Sequence, residues 1–144
     1  MYHSPLPLIG WGATLLVCAL AWWRGDKAER YGSLIIVVAG LAVFLSHSSL
    51  PAPAASLSLL IVDAGMAAGF LLLAIRYASL WLGSAMLLQA GQFSLHAFYL
   101  VGDLEHDRFY AVANNLITVG ILICILVGTG ISWRRRSRTG SQTA

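Results

Sequence analysis

Charge is scarce in this sequence. Nine Lys/Arg and six Asp/Glu make up 10% of its 144 residues, against about 25% in an ordinary soluble domain. Hydrophobic residues account for 58%, and the mean hydropathy is +0.77. A soluble globular domain is excluded on these grounds. There are only two cysteines, Cys18 and Cys124. Both lie in apolar stretches without a CxxC or Cys/His spacing, which excludes a zinc ribbon or thiol pair and leaves them as small packing residues. Gly-rich phosphate loops, nucleophile elbows and HExxH patterns are absent. The longest polar segment is the tail Arg134–Ala144, too short for a soluble active site, so no enzymatic activity is expected. The tail's arginines are interleaved with no aromatic beyond Trp133, which favours a lipid surface over nucleic acid.

What the sequence does contain is a series of apolar runs of about 20 residues, the length that crosses a bilayer core. They predict an all-α, polytopic membrane protein: one domain over residues 1–133 with five transmembrane helices at about 5–23, 31–50, 54–75, 79–102 and 109–131, then a basic cytoplasmic tail over 134–144. Ala19-Leu20-Ala21 imitates a signal-peptide cleavage site, but residues 1–7 carry no Lys or Arg, so the first run is expected to be retained. Pro51 and Pro53 break the pattern between the second and third runs. A re-entrant hairpin there is the competing arrangement. With five spans the two ends lie on opposite sides. If the N-terminus is outside, residues 24–30, 76–78 and the tail hold three, one and four Lys/Arg on the inside, and the outside holds only Arg108. That asymmetry predicts N-out, C-in, with Arg134, Arg135, Arg136 and Arg138 anchoring the last helix at an anionic leaflet.

An ionisable residue inside such a helix is costly and therefore informative. Asp63 is the clear case, near the bilayer midplane at about 1.5 Å rise per residue, with no Lys or Arg at its depth to pair with. Desolvation disfavours its charged form, so in a dry site it is expected to hold a proton and donate it to Gln92 or Gln89. Gln89, Gln92 and His96 fall within an arc of about 60° on the fourth helix, a stripe that also carries Ala85 and Asp103. His96 is expected about one turn further out than Asp63. Asn114, Asn115 and Thr118 mark one side of the fifth helix, and His47 the last turn of the second. The outer half thus gathers the polar residues, while the inner half offers little beyond Gln89, Cys18, Cys124 and small residues. Such a cluster is either a cavity or proton-binding site, or a set of interhelical hydrogen bonds.

His3, His47, His96 and His106 all fall on or near the outer side, and His47 with His96 meets the minimal requirement for two axial ligands to a haem. No cofactor is expected, and haem stands as an alternative. No metal site is expected. Gly65 and Gly69 form a GxxxG turned roughly 120–160° from Asp63, a surface for close helix packing within the chain or with another.

Trp23-Arg24-Gly25, Glu29-Arg30, Val62-Asp63, Ala74-Ile75-Arg76, Ser79-Leu80-Trp81, Leu88-Gln89, His96, Asp103, Tyr110-Ala111 and Gly128-Thr129 together resemble small uncharacterised five-helix integral membrane proteins of alphaproteobacteria. The resemblance implies a bacterial inner membrane location and brings no activity or site residue with it. The function expected from the residues is that of an accessory or assembly component, packing with itself or with other membrane subunits. Two alternatives stand beside it: a small proton, ion or solute transport unit using Asp63, and a haem-binding electron carrier using His47 and His96.

Overall fold

A computed structural model describes residues 6–140, with side chains described from Ile9 and not for residues 52, 53 and 140. His3 and the last four residues of the tail lie outside it. The described chain is all-helical: α1 (Leu6–Arg24), α2 (Lys27–Ser49), α3 (Ala52–Tyr77), α4 (Leu80–Val101) and α5 (Arg108–Gly140). Three of them, α2, α3 and α5, are long and apolar enough to cross a membrane, and the described apolar part of α1, Ile9–Arg24, is shorter. The fourth carries the polar stripe Gln89, Gln92 and His96 through its middle.

Short connections make sequential helices antiparallel neighbours, and α1 also packs on α5, so the order α1 to α5 closes into a bundle. The boundaries follow local chemistry. The second helix starts at Lys27, four residues before the expected 31, because Asp26 supplies an N-cap whose backbone N–H donates to the Glu29 carboxylate at 2.8 Å. Pro51 caps α3, and Pro53 falls in its first turn, where a missing N–H costs nothing. Ala78 closes α3 in the left-handed conformation at φ 45°. The fifth helix runs beyond the expected end at 131 through the arginine cluster to Gly140. The tail is therefore mostly a helical extension. Arg136 secures it, donating from Nη2 to the Gly25 carbonyl at 2.7 Å and from Nε to Asp26 at 2.9 Å, while Arg24 lies 4.7 Å over the Trp133 ring.

The core centres on Phe70, Leu82, Ala85, Ile121 and Ile125 with Trp81. The Trp81 indole has its place because two facing residues are glycine. A Cβ on Gly128 would come within 2.5 Å of the ring, and one on Gly32 within 3.4 Å. The GxxxG of α3 is divided. A Cβ on Gly69 would press on Ile35 of α2 at 3.0 Å, whereas Gly65 faces open space.

Candidate functional site

Asp63 lies in the middle of α3 and is 4% exposed. Against it α4 brings Gln89, Gln92, His96 and Tyr99, whose spacings of three and four keep them on one face, and α5 brings Tyr110 and Asn114, one turn apart. Gln89 donates from Nε2 to Asp63 Oδ1 at 3.0 Å. His96 Nδ1 is in close contact with Asp63 Oδ2. The other ring nitrogen, Nε2, lies 3.2 Å from Asn114 Oδ1, which also accepts from Gln92 Nε2 at 3.0 Å. One hydrogen-bonded chain thus links α3, α4 and α5.

Two sequence expectations are corrected here. Asp63 has a side-chain partner within its own chain that counting Lys and Arg does not supply: a helical side chain leans toward the helix N-terminus, and this brings the His96 imidazole back to the depth of the carboxylate. Gln89 donates to Asp63 rather than accepting from it, and Gln92 turns to Asn114. The cost is visible at Gln89, which is 1% exposed and whose Oε1 is buried without a hydrogen-bond partner among the described residues.

Both His96 nitrogens face acceptors, a carboxylate oxygen and an amide oxygen that is already receiving one bond. A neutral imidazole has one N–H and one lone pair. Which nitrogen donates follows the tautomer: with its N–H on Nδ1 facing Asp63, the lone pair on Nε2 is met once the Asn114 amide turns to donate.

Toward the α4–α5 loop His96 borders a cavity of about 350 Å³, whose walls include His47, Ser56, Tyr99, Asp103, His106 and Tyr110. His106, Tyr99 and Tyr110 pack as an aromatic group, with His106 and Tyr110 centroids 4.2 Å apart and Tyr110 5.5 Å from His96. Asp107 holds the group in place: it accepts from the Tyr99 hydroxyl at 2.7 Å and from the Tyr110 backbone N–H at 2.8 Å, capping α5. These two bonds, the backbone one first, keep the Asp107 carboxyl below the usual carboxylate range. Sequence reasoning gave Tyr99, Asp107 and Tyr110 no place in the site and took His106 only as one of the outer histidines. Tyr99 was detectable, since it continues the stripe of Gln92 and His96 toward Asp103.

Other candidates stand apart. Asn115 is exposed, and Thr118 donates to the Asn114 carbonyl of its own helix at 2.9 Å. His47 sits at the cavity rim with Nδ1 3.2 Å from the Val43 carbonyl. Neither nitrogen of His96 is available to a haem iron without breaking a bond to Asp63 or Asn114, so the geometry lends the haem alternative no support. Among the described residues no group of three or more His, Cys, Asp or Glu could hold a metal ion. The arginine-rich half of the bundle is more polar than expected: Glu29, Ser33, Thr129 and Ser132 are buried there. Local bonding explains part of this, since Ser33 and Thr129 donate to carbonyls of their own helices at 2.9 and 2.8 Å.

No family model matches the chain, and neither the curated proteins nor the solved structures yield a match.

Proposed function

We propose that the chain is a five-span protein of a bacterial inner membrane, N-terminus outside and arginine-rich end inside, which takes up and returns a proton at the Asp63–His96 pair. The membrane reading is supported by the apolar runs, by the Lys/Arg asymmetry and by outward faces of hydrocarbon such as Leu72, Ile75 and Leu116, which are 67%, 72% and 70% exposed and need a lipid covering. The proton reading rests on one observation: a buried carboxylate and an imidazole are in close contact, and the imidazole borders a cavity at one end of the bundle. Toward the other end the packed core of Phe70, Leu82, Ala85 and Ile125 adjoins Gln89. Exchange from one side fits this arrangement better than conduction across it. Release of the proton from Nε2 would set a lone pair against Asn114 Oδ1, so the Asn114 and Gln92 amides would turn over together and carry the change into the α4–α5 contact.

The test is carbodiimide labelling of Asp63 in liposomes, alongside a proton-flux assay. Labelling that Asp63→Asn abolishes, without steady flux, is the expected result. Steady flux would restore the transport-unit reading, and no labelling from either side would sink the proton reading.

The accessory reading keeps one observation of its own, the open Gly65 on the outward side of α3 next to exposed Ala64 and Ala68. It expects a membrane subunit, or a second copy, to co-purify in mild detergent and to be lost on Gly65→Leu.

A further inference from the structure

At the arginine-rich end, α5 presents two faces. Arg136 turns inward and is tied to Asp26 and Gly25. Arg134, Arg135 and Arg138 occupy an arc of roughly 100° on the other side of the helix, and with Ile131 and Thr139 they line a hollow of about 380 Å³. Below the hollow, Ile123, Val127 and Ile131 follow one another at intervals of four residues as an exposed aliphatic ridge, each about half exposed. The three arginines are thus set above a strip of hydrocarbon on a single helix, and the bond from Arg136 holds that helix at a fixed rotation.

From this geometry we infer a binding site for one anionic glycerophospholipid, with its phosphodiester among Arg134, Arg135 and Arg138 and an acyl chain along Ile131, Val127 and Ile123. The inference rests on the membrane reading above. Charge complementarity selects the occupant. Guanidinium groups present fixed forks of N–H donors that match phosphate oxygens. A zwitterionic headgroup would bring an ammonium into the same arginine cluster. A soluble phosphate would leave the aliphatic ridge uncovered.

The experiment is native mass spectrometry of the purified full chain in mild detergent, with equal amounts of phosphatidylglycerol and phosphatidylcholine. One phosphatidylglycerol should be retained in preference. That preference should fall about fivefold for each of Arg134→Gln, Arg135→Gln and Arg138→Gln, and remain unchanged in Arg76→Gln, which removes a cation of the same end outside the hollow. Equal retention of the two lipids would overturn the site, as would a triple variant that retains phosphatidylglycerol like the wild type. Glycerol phosphate binding as tightly as the lipid would overturn the lipid as its occupant. Alkaline carbonate extraction of cell membranes separates the premises. A chain released by carbonate refutes the membrane reading and the site together, whereas a chain that stays in the membrane without preferring phosphatidylglycerol refutes the site alone.

Discussion

Asp63 accepts from Gln89 and is in close contact with His96, and substitutions there separate proton chemistry from packing. In Asp63→Asn the new amide can donate to the spare Gln89 Oε1 once the Gln89 amide turns, so stability measured by detergent unfolding should stay within about 1 kcal/mol of wild type, while proton uptake is lost. In Asp63→Leu both donors lose their acceptor, and the cost should be about 1–2 kcal/mol, the size of interhelical hydrogen bonds in membrane bundles. Nitrogen NMR of labelled histidine should find both His96 nitrogens protonated in the loaded state and one after release. A second expectation concerns Asp107 in the α4–α5 loop. Its carboxyl is held below the usual range by the Tyr110 N–H and the Tyr99 hydroxyl, so its contribution is complete above the ordinary carboxyl pKa of about 4 and is lost as pH falls through the lower folded value. Amide exchange at Tyr110 should therefore quicken at low pH, and Asp107→Asn should remove that dependence.

Among the helices, the sharpest expectations come from glycines. Gly128→Ala places a methyl group against the rigid Trp81 ring, and the collision should cost about 1–3 kcal/mol, as overpacking usually does. Gly65→Ala meets open space, so it should leave monomer unfolding unchanged. Arg136→Gln removes a half-exposed ion pair worth no more than about 1 kcal/mol. Its expected effect is local, namely faster amide exchange in α5 beyond Trp133. The five helices were legible because apolar length and charge punctuation are properties of local sequence. The extension of α5 through four arginines was not, since it depends on Asp26 and the Gly25 carbonyl waiting at the α1–α2 turn. The polar stripe of α4 was legible from its spacing, and Asp63, Gln89, Gln92, His96 and Asn114 do meet. Which side chain bonds which was not legible, because that depends on helix rotation and side-chain lean. Asn115 shows the limit: one residue from Asn114, it is turned 100° away and exposed.

For the molecule as a whole, the orientation is open to a direct check. Reporter fusions after residues 30, 52, 77, 105 and 144 should alternate inside, outside, inside, outside, inside, and any other sequence of signals would exclude five spans. The closure of α5 onto α1 also bears on how the chain is made. Arg136 and Asp26 are 110 residues apart, and Gly128 completes the seat of Trp81. During synthesis the first four helices must therefore wait, incompletely packed, until the fifth leaves the ribosome. A chain halted before Gly128 has an indole without a wall and lacks the Arg136 tie to the α1–α2 turn, the kind of loosened surface that proteases recognise. Nonsense variants late in the gene should thus be cleared rapidly, even though they retain Asp63, His96 and Asn114.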